Sequence, residues 1–181
     1  MNSRISLMQT CFFIAAISAI LSIPTNLRAA DAPPKSPELN VLERFVGDWT
    51  TEMTVTVLNA QNQDLKSTGT VTRKWILDGH FIEESGASSD GSTAKVLFTY
   101  DVAKKVYRNW YFSSVGDCFD TSGQWNEATQ SFSFRTDLGN GVTQTATIHF
   151  TDADNHEWSS KVSDAAGKVY FEGGGKLKRK K

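Results

Sequence analysis

The sequence predicts an all-β domain: an antiparallel up-and-down β-barrel of about ten strands, entered through a short N-terminal helix. Three observations point there. From Trp49 onward, apolar residues recur at every second position. Turn dipeptides and tripeptides, among them Asp78-Gly79, Asp90-Gly91, Gly139-Asn140-Gly141 and Ala166-Gly167, interrupt that alternation at short intervals. The links are too short for parallel crossovers, so neighbouring strands must form hairpins. A meander of hairpins can make a sandwich or a barrel. Closure is favoured because it removes both unpaired edges.

The elements follow in order. Residues 1–30 read as a secretory signal peptide: Arg4 supplies a positive start, and the run from Cys11 to Leu21 is apolar and uncharged. That run is shorter than a bilayer-spanning helix needs. Cleavage fits after Leu27-Arg28-Ala29 or after Ala30-Asp31-Ala32. The expected location is therefore outside the cytoplasm, periplasmic or secreted, with no membrane span after cleavage. Residues 31–37 form a proline-stiffened linker. The domain spans 38–181. Ser36 is placed to cap a helix with Pro37 at its first position, and Leu39, Leu42, Phe45 and Val46 recur at helical spacing.

In 49–57, Trp49, Thr51, Met53, Val55 and Val57 share one face, with Thr50, Glu52, Thr54 and Thr56 on the other. That is a half-buried strand. Further strands are predicted at 70–77, 81–88, 94–101, 106–113, 118–125, 131–137, 142–150, 156–162 and 169–178. Gly173-Gly174-Gly175 is read as a bend or bulge in the last of these, not as a phosphate loop, since no helix follows.

Composition narrows the function classes. Residues 31–181 carry 17 basic and 20 acidic side chains, a net of −3, which argues against electrostatic nucleic-acid binding. Cys118 is the one cysteine in that span, so neither an internal disulfide nor a cysteine metal site can form there. Its default reading is a buried, inert thiol. Five Trp, eleven Phe and four Tyr supply the apolar payload for a core.

Gly47-Asp48-Trp49 places a Gly-x-Trp at the entry to the first strand, after the helix. Arg73-Lys74-Trp75 leads into Asp78-Gly79-His80, and Tyr100-Asp101 precedes Trp110-Tyr111-Phe112. The chain closes on Lys176-Leu177-Lys178-Arg179. In this order the motifs resemble a bacterial family of unknown function, DUF1579, itself similar to lipocalin and nitrobindin-type barrels. The resemblance covers about residues 39–181. It implies a lipocalin-like barrel in which Trp49 plugs the closed end and a basic residue near the last strand, Arg179 or else Lys178, covers the indole. It implies no reaction.

Candidate site residues are polar groups on otherwise apolar faces. Arg73 shares a face with Val71, Trp75 and Leu77; Arg108 shares one with Val106, Trp110 and Phe112. Two inward arginines would clamp a carboxylate through bidentate hydrogen bonds. The competing readings are internal pairing with Glu83, Asp120 or Glu172, and outward rotation at a twist or bulge. Gln144 lies among Val142, Ala146 and Ile148 and is placed to line the same cavity. The ligand-binding set is thus Arg73, Trp75, Arg108, Trp110 and Gln144.

No catalytic or metal residues are assigned. His149 alternates with threonines, His80 sits in a turn, and His156 opens a strand. No H-x-H, H-E-x-x-H or G-x-S-x-G spacing occurs. An interior axial histidine, needed for haem, is not evident, and no cofactor is expected. The function predicted is noncatalytic binding of a small, largely apolar or carboxylate-bearing ligand in the barrel. The runner-up is a structural or protein-interaction module with a packed, ligand-free barrel. Oligomeric state is left open.

Overall fold

Where the sequence alternates, the backbone pairs. The computed structural model describes residues 34–57 and 63–181. The predicted signal peptide and residues 31–33 of the linker lie outside the described residues. A 3-10 helix, Pro37–Phe45, precedes ten strands: β1 Gly47–Val57, β2 Gln63–Ile76, β3 Phe81–Ser88, β4 Thr93–Asp101, β5 Val106–Ser113, β6 Cys118–Asn126, β7 Ser131–Gly139, β8 Val142–Phe150, β9 Asn155–Asp164 and β10 Val169–Arg179. Each strand pairs antiparallel with its chain neighbour, and β1 pairs with β10, closing the barrel. The meander predicted from hairpin spacing is the fold observed.

The helix differs in kind. It is 3-10, and the Ser36 hydroxyl makes no capping bond to the backbone; it donates instead to the Glu38 carboxylate. Leu39, Leu42 and Phe45 are nonetheless buried as their spacing predicts. The triple glycine is also corrected. Gly173, Gly174 and Gly175 keep register with both β1 and β9, and the irregularity in β10 falls earlier, between Val169 and Phe171.

Hydrogen bonds tie the helix to one end of the barrel. The Trp49 indole N–H donates to Phe45 O (2.9 Å), and the Trp75 indole donates to the Glu43 carboxylate (2.6 Å). The Tyr107 hydroxyl donates to Glu38 O (3.0 Å). Arg179 Nη2 donates to Arg44 O (3.0 Å), and Nη1 donates to Val46 O. Gly47 makes this possible: its φ is +124°, and a Cβ there would sit 2.6 Å from Arg179 Nη1. Beneath the helix lies the aromatic core. Phe45 stacks on Phe98 and Phe132 with centroids 5.0 and 5.5 Å apart and meets Phe150 edge-on at 5.0 Å.

The other end is formed by the hairpin turns after β3, β5, β7 and β9. No helix crosses it among the described residues. Among the described residues, six of the eight exposed large apolar side chains belong to this end: Leu65, Phe112, Val115, Phe119, Leu138 and Tyr170.

Candidate functional site

The site is the lumen, and its floor is a buried polar group set in aromatic rings. Arg73 comes inward from β2, between buried Val71 and the core-packed Trp75, and is 5 % exposed. A buried guanidinium must be paired. Arg73 Nε donates to Glu84 Oε2 at 2.6 Å, from the neighbouring strand β3. Its Nη1 lies 3.1 Å from His156 Nε2, from β9. The guanidinium also stands over Phe45 and Trp49, 5.0 and 5.6 Å from the ring centroids.

Arginine can only donate, so His156 Nε2 accepts and the proton of the neutral ring sits on Nδ1. That Nδ1 is buried without a hydrogen-bond partner among the described residues. Burial pushes the His156 pKa from 6.5 down to about 2, and the charges of Arg73 and Arg179 add to the effect. The imidazole is enclosed by Trp49 (4.5 Å, edge-to-face), Phe45 and Phe150. Arg179 covers the other part of Trp49 at 4.1 Å, as the lipocalin resemblance implied.

Above the floor the inward face mixes small and polar residues with further rings. Gly86 and Ala94 pair across β3 and β4, mouthward of Glu84. Asn109 accepts from the Thr121 hydroxyl (3.1 Å), and the Gln144 amide donates to the Ser160 hydroxyl (3.1 Å). Tyr111 stacks on Phe119 at 4.8 Å. Burial holds the Tyr111 pKa above its ordinary value, and the carboxylates of Asp117 and Glu84 reinforce that. Glu84 and Tyr111 thus face one space. Met53, Gly86, Ala94, Tyr111, Gln144, Trp158 and Phe171 all keep partial solvent contact, whereas Phe45, Trp49, Ile82 and Phe132 have none.

The five predicted site residues separate. Arg73, Trp75 and Gln144 turn inward, Arg73 and Trp75 at the helix end and Gln144 near the mouth. Arg108 and Trp110 turn outward. On β5 it is Tyr107, Asn109 and Tyr111 that face the lumen, with Tyr107 buried against Phe132 at 4.9 Å. Arg108 lies on the outer wall, 4.6 Å from the Trp110 centroid, and pairs with Asp120 at 2.8 Å with side-chain exposures of 25 and 58 %. The two guanidinium groups therefore do not converge, and no carboxylate clamp of that kind is assembled.

Two residues escaped the sequence reading. Glu84 alternates with Ile82 on the inward face of β3. His156 alternates with Trp158, Ser160 and Val162, opposite Glu157 and Lys161; that period was its legible signal. Cys118 is exposed, contrary to the buried thiol expected.

The barrel wall carries concavities. One of about 620 Å³ crosses β1, β2, β9 and β10 and is lined by Glu52, Lys66, Glu157 and Lys176 together with Met53 and Trp158. Another of about 240 Å³ lies near Arg135, Thr143 and Asp164. Among the described residues no cluster of three or more His, Cys, Asp or Glu is placed to hold a metal ion. No helix of the described residues is long and apolar enough to cross a membrane.

Fold and site together define a lipocalin-like, ten-stranded antiparallel barrel plugged at one end by a short 3-10 helix. The chain belongs to DUF1579, a family described as a protein of unknown function, whose pattern matches residues 35–170. No curated protein matches it in sequence. Among solved structures it is similar to Rv2717c from M. tuberculosis, with a TM-score of 0.59 and 11 % identity over 82 % of this chain and 100 % of that one. It is also similar to the S-type phycobiliprotein lyase CPES from Guillardia theta, with a TM-score of 0.50 and 14 % identity over 78 and 92 % of the two chains. At these identities the likeness is one of fold.

Proposed function

We propose that this is an exported, noncatalytic protein whose barrel takes a small, largely apolar molecule into the mouth half of its lumen. One observation carries the reading: among the described residues a helix plugs one end of the lumen and none crosses the other. The helix and aromatic core seal the floor, while the inward residues beyond it keep solvent contact. A Cβ added at Gly86 would meet Val71, Ala94 O and Thr70 O at ordinary contact distances of 3.7–3.9 Å, so nothing clashes at that depth. Apolar side chains at the mouth, Val115, Phe119 and Leu138 among them, suit entry of an apolar molecule. Export rests on Arg4 and the apolar run that follows it.

Native mass spectrometry of the full chain purified from its own host tests this. The expected result is a retained small molecule, lost in a Gly86→Leu variant that keeps its folded circular dichroism spectrum. A bare protein mass, together with no fluorescence gain on adding Nile red, overturns the reading.

A second reading, a protein-interaction module, has its own observation. The outer wall of β3, β4 and β5 carries Phe81, Leu97, Trp110 and Phe112, where β1 presents Thr50, Glu52, Thr54 and Thr56. The same spectra would then show a second protein mass in place of a small molecule.

A further inference from the structure

We propose that the lumen selects an uncharged molecule bearing a hydrogen-bond donor beside an acceptor, such as an amide, and rejects carboxylates. The proposal rests on the lumen-binding reading and adds the polarity of what is bound.

The charge balance of the floor and the order in which a ligand meets it set this preference. Arg73 is the one cation aimed into the lumen from β2, and it is already matched: Glu84 accepts from its Nε at 2.6 Å. His156 contributes no charge, since it accepts from Arg73 and is enclosed in rings. Arg73, Glu84 and His156 are therefore neutral together, and Arg179 behind Trp49 is paired with Asp154. Of the two partners, the acid is the more accessible. The Glu84 side chain is 13 % exposed against 5 % for Arg73, and its mouthward neighbours on the inward face are Gly86 and Ala94, too small to cover it. Only Oε2 of Glu84 is engaged by Arg73; Oε1 has no hydrogen-bond partner among the described residues. A molecule descending from the mouth thus meets a carboxylate oxygen first and a guanidinium behind it.

An incoming carboxylate would face like charge in a desolvated space, where such juxtaposition is strongly disfavoured. An ammonium drawn to Glu84 would in turn stand beside the Arg73 guanidinium, a like charge 2.6 Å from that carboxylate, and would give up its own hydration to do so. An amide places its N–H against Glu84 Oε1 and its carbonyl within reach of the guanidinium, and carries no charge to desolvate. Tyr111 and Trp158, facing the same space from β5 and β9, supply flat apolar contact.

The test is a matched series on the full chain: 4-phenylbutanamide, 4-phenylbutanoic acid and 4-phenylbutylamine, each displacing Nile red at pH 7.5. The amide is expected to compete about tenfold or more better than either charged analogue. Equal or better competition by the acid or the amine overturns the proposal while leaving lumen binding intact. If Nile red itself is not taken up, the lumen reading falls and this proposal with it. In a Glu84→Gln variant the acid should gain on the amide, because the opposing charge is gone and the guanidinium is free. An unchanged ratio in that variant also overturns the assignment. The series on the unsubstituted protein decides the matter even if the variant does not fold.

Discussion

The two halves of the lumen are built from the same ten strands yet obey different packing rules. At the helix end the inward positions hold Phe45, Trp49, Ile82, Phe98, Phe132 and Phe150, and even glycine is filled around: a Cβ at Gly123 would collide with Ser133 O and lie 2.7 Å from Phe134 Cδ1. At the mouth half, a Cβ at Gly86 would make only ordinary contacts, the nearest Val71 Cγ2 at 3.7 Å, and Gln144 bonds across to Ser160, although Gly175 is closely surrounded too, with Trp158 Nε1 2.7 Å from its Cβ position. One half is sealed from solvent by rings, and the residues of the other keep partial solvent contact. The lesson is that a barrel need not be uniformly packed: an aromatic plug without solvent contact supports walls whose far interior mixes glycine and polar residues with partly exposed rings.

Removing the plug should break the contrast outright. Phe45→Ala deletes a fully buried ring that stacks on two others, and a loss of about 3–5 kcal/mol is expected in urea denaturation. A loss under about 1 kcal/mol would mean that the helix is not the keystone of the closed end. The polar floor gives a pH signature. His156 titrates near 6.5 when unfolded and about 2 when folded, so the unfolded state binds the extra proton between those values. Stability should be full above pH 6.5 and fall as the pH drops towards 2. Between pH 6.5 and 5 the wild type should lose about 1.5 kcal/mol more than His156→Phe. Identical pH profiles for the two proteins would refute a buried neutral imidazole. The smallest effect separates the two glycines. Gly123→Ala should cost about 1–3 kcal/mol through overpacking. Gly86→Ala should be neutral or stabilise by up to about 1 kcal/mol, since it lowers backbone freedom without a clash. Equal costs at both positions would erase the distinction between the halves.

Strand order was legible because period-two alternation and turn residues are local signals. The runs read at 81–88, 106–113 and 142–150 coincide with β3, β5 and β8. Side-chain direction was legible only where the two faces differ chemically. On β1, threonines and a glutamate oppose Trp49 and Met53, and the inward face is plain. On β5 both faces are aromatic, Tyr107 and Tyr111 against Trp110 and Phe112, so the pattern has no contrast. What turns Tyr107 inward is non-local: Gly123 opposite it on β6 and the helix carbonyl of Glu38 that receives its hydroxyl. Arg73 was placed correctly, but its partner was not, because Glu84 and Glu83 are adjacent in sequence and only the register of β2 with β3 assigns one of them to the inner face. The salt bridge to Asp120 did identify Arg108 with one of its weighed partners, on the outside of the wall.

The seam between β1 and β10 has a consequence for how the chain folds. Every other pair of wall neighbours is consecutive, so nine of the ten ladders can zip from a hairpin turn as soon as both strands exist. The seam instead joins Trp49 to Arg179, and Arg179 reaches a carbonyl 135 residues earlier in the chain. Loop-closure entropy makes that contact the slow one. Until it forms, the Trp49 indole lacks its guanidinium cover and two strand edges stand open to other chains. The interval before closure is when this protein is most exposed to misassembly, and the guanidinium–indole contact is the latch that ends it.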